Sequence, residues 1–143
     1  MQDASQQVDE SAYRLPRTVL PRRYEITIEP DLDAASFTGE VAIAVEVGEV
    51  TSEVVLNAKE LEIDEAWLVV AGQRIECTVT LDAERERMTL STASALEPGD
   101  ANVHARFRGI LNDKLTGFYR SVYTDDGGIK RTIGTTQMEA TDA

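Results

Sequence analysis

The sequence is poor in the side chains that build disulfides, metal centres and nucleophilic sites. It has one cysteine, Cys77, and one histidine, His104, in 143 residues. A single cysteine excludes an intramolecular disulfide, and a single histidine excludes a multi-histidine zinc site or an H-E-x-x-H helix made by this chain alone. Because there is no disulfide framework, the sequence fits a reducing compartment and predicts a cytoplasmic protein.

Basic residues are scarce as well. The chain has 14 Lys and Arg against 26 Asp and Glu, which gives a formal net charge of −12. Nucleic-acid affinity depends mainly on Lys and Arg that neutralise phosphates, so this balance argues against nucleic acid and anionic membranes as partners. No apolar run reaches membrane-spanning length, and the first residues lack the basic start and apolar core of a signal peptide.

The residues that are present suit one folded domain. Apolar residues make up 42% of the chain and charged residues 28%, and a chain of this length can bury a core without staples. Residues 1–12 are polar and acidic and are predicted to form a flexible tail. The folded domain is therefore predicted over residues 13–143.

Apolar and polar residues alternate through most of this domain, which predicts β-strands. Residues 24–29 alternate strictly and should place Tyr24, Ile26 and Ile28 on one half-buried face. Residues 37–47 predict the longest strand. Shorter strands are predicted at residues 53–57, 61–63, 67–71, 74–80, 87–91 and 102–107.

A final hairpin is predicted between residues 117–123 and 129–133. The turn sequence Asp125-Asp126-Gly127-Gly128 separates the two strands, and glycine supplies the positive φ that such turns need. No stretch keeps a helical apolar period over more than two turns. Many short strands separated by turn residues predict an all-β fold, an antiparallel β-sandwich.

Neither of the two rare side chains has the setting of a reactive group. His104 alternates with apolar neighbours and is predicted to face away from the core beside Arg106. No Gly-x-Ser-x-Gly elbow accompanies it, so a nucleophilic triad is not indicated. Cys77 shares a face with apolar residues and is predicted to be a buried, inert thiol.

Two acidic pairs could in principle ligate calcium. Asp31 with Asp33, and Asp125 with Asp126, lie in loops but lack the spacing of an EF-hand. They are interpreted as turn residues that bond their own backbone. From these residues alone, the sequence indicates a β-sandwich of unspecified purpose.

Four blocks in order resemble the start of the M1 family of zinc aminopeptidases. The first begins Leu15-Pro16-Arg17 and continues to Phe37-Thr38-Gly39, and the others are residues 56–63, 109–121 and 136–143. The likeness covers residues 13–143 and is greatest to the puromycin-sensitive branch. It implies the family's N-terminal domain, a saddle-shaped β-sandwich or open barrel, ending before the catalytic domain that carries the zinc motif.

The resemblance also implies three substrate-binding residues, Gln137, Met138 and Glu139. Glu139 matches the acidic residue that binds the substrate's free α-amine, Gln137 lines the pocket for the first side chain, and Met138 borders it. No catalytic residue or metal ligand is implied in this chain, because zinc would be bound by the catalytic domain. The expected partners are that domain and a peptide N-terminus, and the expected activity is removal of N-terminal amino acids.

A second hypothesis remains open at this point. The chain could be a non-catalytic β-sandwich interaction module or an M1-like scaffold. A downstream H-E-x-x-H motif in the same reading frame would decide between the two hypotheses.

Overall fold

The protein is built from β-strands. The computed structural model describes residues 14–113 and 117–137, and the predicted tail at residues 1–12 lies outside them. The described residues form ten strands and no helix, which confirms the all-β prediction. The strands are β1 (Val19–Asp31), β2 (Ser36–Val47), β3 (Thr51–Asn57), β4 (Leu61–Val70), β5 (Gln73–Glu76), β6 (Thr78–Asp82), β7 (Arg87–Leu96), β8 (Gly99–Ile110), β9 (Gly117–Thr124) and β10 (Lys130–Gln137).

These strands form two facing sheets and a hairpin. The larger sheet has the order β1-β2-β8-β4-β5, the smaller sheet has the order β3-β7-β6, and β9 pairs with β10. All of these described pairs are antiparallel. The sheets are open, so β1 and β5 are the edges of the larger sheet within the described part of the chain.

The hydrophobic core lies between the inner faces of the two sheets. Leu68 and Val103 of the larger sheet and Leu90 of the smaller sheet are fully buried. In β2, Ile43 and Val45 are also buried, as the two-residue period predicts. One continuous cluster of apolar side chains therefore joins both sheets.

One long strand replaces two predicted short ones. Residues 61–63 and 67–71 were expected as separate strands, but β4 runs without interruption from Leu61 to Val70 and has a register shift between Ile63 and Glu65. The extra residue of such a bulge reverses the alternation of faces. The apolar pattern therefore breaks although the strand continues.

One predicted strand is instead divided between the two sheets. Residues 74–80 were expected as a single strand, but β5 ends at Glu76 in the larger sheet and β6 begins at Thr78 in the smaller sheet. Cys77 is the residue at which the chain crosses. Alternation alone cannot reveal this crossing, because it continues through Cys77.

The apolar face of β1 is more exposed than the sequence predicts. Tyr24, Ile26 and Ile28 do share a face, but their exposed fractions are 56%, 59% and 40%. The prediction of a half-buried face was wrong for the described structure. The larger sheet has five strands and the smaller sheet three, so the core is not covered out to the β1 edge.

Two phenylalanines lie over two glycines on neighbouring strands. Phe37 of β2 is opposite Gly109 of β8, and Gly39 is opposite Phe107. A Cβ atom on Gly109 would overlap Cζ of Phe37, and one on Gly39 would overlap Cε2 of Phe107. The rings occupy the space that side chains at these glycines would need.

The substitution Gly109→Ala should lower the free energy of unfolding by about 1–3 kcal/mol, because the new methyl group displaces the buried Phe37 ring. Urea unfolding would measure the loss. The control is Gly127→Ala in the hairpin turn, where the added Cβ would only reach ordinary contact, 3.4 Å from Oδ1 of Asp125. Equal stability of the two variants would contradict the close packing of Phe37 on Gly109.

Candidate functional site

Gln137 lies at the base of the β9–β10 hairpin. Of the three predicted substrate-binding residues, it is the one within the described part of the chain. It ends β10 opposite Gly117, the first residue of β9, and its side chain is exposed. Met138 and Glu139 lie outside the described residues. The candidate site is therefore the end of β10, and the structure shows what holds that end in place.

The turn of the hairpin is organised by one carboxylate. Oδ1 of Asp125 accepts hydrogen bonds from the amides of Gly127 and Ile129, both at 3.0 Å, and Oδ2 accepts one from Nε of Arg131 at 2.6 Å. The carbonyl of Asp125 also accepts a bond from the amide of Gly128 at 2.9 Å. The interpretation of Asp125 as a turn residue is confirmed. Asp31 has the same role before β2, where its Oδ1 accepts a bond from the amide of Ala34.

Asp125 should make the stability of the hairpin depend on pH. The bonds from the Ile129 amide, the Arg131 guanidinium and the Gly127 amide hold the pKa of the Asp125 carboxyl below its ordinary value. Because this pKa is lower in the folded state, ionised Asp125 stabilises the hairpin at pH values above its ordinary pKa. That stabilisation is lost as the pH falls through the lowered pKa.

Amide hydrogen exchange tests this effect of Asp125. In Asp125→Ala, the protection of the Ile129 amide should fall at pH 6, and the difference from wild type should shrink once the pH is below about 4. The neighbouring variant Asp126→Ala serves as the control. If the difference in Ile129 protection between wild type and Asp125→Ala stayed the same from pH 6 to well below pH 4, ionised Asp125 would not be what stabilises the hairpin.

The hairpin packs on the larger sheet through aromatic rings. Phe118 of β9 meets the buried Phe37 edge to face, with ring centroids 5.2 Å apart. Gly134 of β10 lies under Phe118, where a Cβ atom would be 3.2 Å from Cε2 of that ring. This packing brings the start of β9 and the middle of β10 against the end of the sheet.

Arg120 fixes the base of the hairpin to the end of β8. Its Nη1 donates to the carbonyl of Leu111 at 2.6 Å, and its backbone amide donates to the carbonyl of Asn112 at 2.7 Å. Nη2 lies 3.7 Å from Oδ2 of Asp113, an exposed carboxylate whose contribution is small. Leu111 is fully buried and donates its amide to the carbonyl of Ala35. β9 is therefore tied to the core by these contacts, and the end of β10 is held through its pairing with β9.

His104 and Cys77 both make contacts that are typical of structural side chains. His104 lies on the outer face of the larger sheet, as predicted, and stacks on Trp67 with ring centroids 5.1 Å apart and an interplanar angle of 3°. Arg74 and Arg106 cover the same Trp67 ring, with their guanidinium carbons 4.3 and 5.4 Å from its centroid. Cys77 is half-buried, and burial raises the pKa of its thiol, which suits an unreactive side chain.

Within residues 14–113 and 117–137, no cluster of three or more His, Cys, Asp or Glu side chains has an arrangement that could hold a metal ion. In the same residues no helix is long and apolar enough to cross a membrane.

Comparison with known proteins decides the family. The family model described as the Peptidase M1 N-terminal domain matches residues 20–143, which contain both sheets and the hairpin apart from the first residue of β1. The chain belongs to the M1 peptidase family. The resemblance in the four sequence blocks is thereby confirmed, and so is the assignment of this M1 chain to the N-terminal β domain.

Named relatives of this M1 domain are aminopeptidases. It is 42% identical over 130 residues to Aminopeptidase M1-D of Oryza sativa subsp. japonica, 40% over 129 residues to Aminopeptidase 2 of Candida albicans, and 31% over 132 residues to Puromycin-sensitive aminopeptidase of Caenorhabditis elegans. These matches cover 91%, 90% and 90% of the chain but 15%, 14% and 14% of the relatives. The chain thus spans about one seventh of the length of these relatives.

Proposed function

We propose that this domain serves an aminopeptidase that removes N-terminal amino acids from peptides, and that its part is to hold the free amine of the substrate. Glu139 binds the substrate ammonium, while Gln137 and Met138 form part of the pocket for the first side chain. The observation that carries the proposal is the M1 match that continues through residue 143, past the anchored end of β10.

The chemistry of the substrate explains why a carboxylate is needed. Only the end of a peptide carries an ammonium, and its pKa of about 7.7–8.0 leaves it mostly charged at neutral pH. A carboxylate ~4 Å away gains roughly 4 kcal/mol of Coulomb energy at an effective dielectric constant near 20, before desolvation. Such an interaction distinguishes a chain end from an internal peptide bond and fixes which bond is presented for cleavage.

The hairpin suits this positioning role. A carboxylate selects a substrate end only when its own position is fixed. Arg120 ties the base of the hairpin to the carbonyl of the fully buried Leu111, and Phe118 packs on Phe37. These contacts tie β9 to the core, and β10 pairs with β9 along its whole length as far as Gln137.

The side chains of the described residues do not fit a zinc ion. The single histidine is stacked on Trp67 and the single cysteine is half-buried with a raised pKa, so neither offers an open site. In our proposal the zinc and the catalytic groups belong to a catalytic domain outside this chain. That domain and the peptide N-terminus are the partners, and the cytoplasm is the proposed compartment.

An activity assay tests this division of labour. The polypeptide encoded by the complete reading frame should hydrolyse an amino acid p-nitroanilide, and a zinc chelator should abolish that hydrolysis. Residues 1–143 alone, supplied with zinc, should show no turnover, because the chain lacks the ligands of an open three-ligand site. Zinc-dependent turnover by residues 1–143 alone would contradict the proposal.

The same assay distinguishes the aminopeptidase hypothesis from the second hypothesis, a non-catalytic protein. A complete polypeptide that is folded but has no peptidase activity would favour a non-catalytic M1-like scaffold or interaction module. The exposed apolar side chains of β1 support this second hypothesis, because exposed apolar patches mark interaction sites.

A further inference from the structure

The face of the hairpin that carries Gln137 is open beside this residue. Gln137 pairs with Gly117, which has no side chain, and the next residue of β9 on that face is Tyr119. Across two antiparallel strands such diagonal neighbours have Cα atoms roughly 7–8 Å apart, within reach of an aromatic ring and a long side chain. Tyr119 and Gln137 therefore border one space above Gly117.

This face is turned away from the packing of the hairpin on the sheet. Phe118, on the other face of β9, meets the buried Phe37. Successive side chains of a strand point to opposite faces, so Tyr119 and Gln137 are directed away from that contact. Tyr119 is nevertheless half-buried, whereas Tyr123, further along the same face, is 49% exposed. The half-buried ring is the one nearer to Gln137.

The backbone of Tyr119 is fixed on both sides. It pairs with Thr135 of β10 on one side and with Asn112 on the other. The side-chain amide of Asn112 donates to the carbonyl of Phe118 at 3.3 Å, and the backbone amide of Arg120 donates to the carbonyl of Asn112 at 2.7 Å. A ring that selects a substrate side chain needs such a fixed position.

The hairpin is uncharged around this space. On the Gln137 face, residues 117–121 and 133–137 contribute the side chains of Tyr119, Ser121, Ile133, Thr135 and Gln137. An ionised guest would lose hydration here without gaining an oppositely charged partner from the hairpin. An apolar or aromatic guest would instead gain contact with the large apolar area of the Tyr119 ring.

We propose that Tyr119 is a specificity-determining residue of the aminopeptidase, whose ring contacts the first side chain of the substrate and favours large apolar side chains there. The inference rests on the proposed function, in which Gln137 forms part of the same pocket. It adds Tyr119 to that pocket. It also names the class of peptide that is preferred, one that begins with a large aliphatic or aromatic residue.

Substrate profiling of the polypeptide encoded by the complete reading frame tests the proposal. Tyr119→Ala should lower kcat/KM for leucine and phenylalanine p-nitroanilides by about tenfold. For alanine p-nitroanilide kcat/KM should stay within about twofold of wild type, because the small side chain does not reach the ring. Tyr119→Phe keeps the ring and should keep the wild-type profile. A Tyr119→Ala enzyme with the wild-type ratio of leucine to alanine turnover would overturn the proposal.

A matched control separates this contact from a structural role of the ring. Tyr123→Ala removes a ring from the same face about 13 Å further along β9, so it should leave the leucine-to-alanine ratio unchanged. A damaged hairpin would lower kcat/KM for every substrate in the same proportion. A uniform loss of this kind in Tyr119→Ala would assign Tyr119 to the structure of the hairpin and would overturn the proposal.

Photo-crosslinking gives a second measurement that needs no substitution. A peptide that begins with p-benzoylphenylalanine should, on irradiation, attach to the segment of β9 that contains Tyr119, as located by mass spectrometry of the digested complete polypeptide. Excess unmodified peptide that begins with phenylalanine should suppress the attachment. Attachment to other segments alone would overturn the proposal even if Tyr119→Ala failed to fold.

The failure of this inference differs from the failure of the proposed function. An active aminopeptidase whose leucine-to-alanine ratio does not change in Tyr119→Ala would contradict the role of Tyr119 alone. A folded complete polypeptide without peptidase activity would contradict the proposed function, and the inference with it.

Discussion

Replacing Glu139 with alanine should lower kcat/KM for peptides with a free amine by about 100-fold or more in the aminopeptidase that we propose contains this domain. The estimate follows from the charge interaction, since roughly 4 kcal/mol corresponds to about 1000-fold before the desolvation of both ions is subtracted. The loss should appear in both kcat and KM if the amine also sets the position of the scissile bond. Steady-state kinetics on a dipeptide series would measure it.

Two further variants separate an amine anchor from a structural effect. Glu139→Gln keeps the size of the side chain but removes its charge, so it should lose most of the same activity. Glu97→Ala, which removes an exposed carboxylate from the turn before β8, should leave kinetics unchanged. If Glu139→Ala had wild-type kinetics, Glu139 would have no place in the substrate site.

Phe37→Ala should lower the free energy of unfolding by about 3–5 kcal/mol, the largest stability effect that we expect from this structure. Phe37 is 9% exposed and meets two other rings, Phe107 at 6.4 Å and Phe118 at 5.2 Å between centroids. The truncation would leave a cavity above Gly109 and would remove the aromatic contact that holds β9 on the sheet. Chemical unfolding followed by intrinsic fluorescence would measure the change.

A double-mutant cycle with Phe118→Ala assigns part of this loss to the hairpin. Edge-to-face aromatic pairs contribute about 0.5–1.5 kcal/mol beyond burial, so the coupling energy between Phe37 and Phe118 should lie in that range. Ile110→Ala, at a side chain that is 74% exposed, should stay within about 0.5 kcal/mol of wild type. Zero coupling between the two rings would show that the hairpin does not depend on this contact.

Most strands could be predicted because they are determined by the alternation of apolar and polar residues within the strand itself. A residue pattern of period two records which face of a strand is buried, and β2 and β8 follow it through most of their length. Two features were not local. The bulge after Ile63 and the crossing at Cys77 depend on which strand lies alongside, and neither is marked by a glycine or a proline in the sequence. The sequence therefore predicted the number of strands better than their division between sheets.

The exposed face of β1 and the support of the hairpin were harder to predict. Alternation places Tyr24, Ile26 and Ile28 on one face, but only the arrangement of the second sheet decides whether that face is covered. Arg120 gave no signal as a structural residue, because its partner is the backbone carbonyl of Leu111. Gly39 and Gly109 were a usable signal, since glycine inside a strand indicates that another group comes close.

Inhibitor binding gives the most direct test of the central claim, that Glu139 holds the ammonium of the substrate. One inhibitor should carry the α-amine of the substrate, and its matched analogue should have hydrogen in that place. The wild-type aminopeptidase should prefer the amine by about 100-fold or more, and Glu139→Ala should lose most of that preference while binding the analogue as the wild type does. A Glu139→Ala enzyme that kept the full preference for the amine would contradict the account.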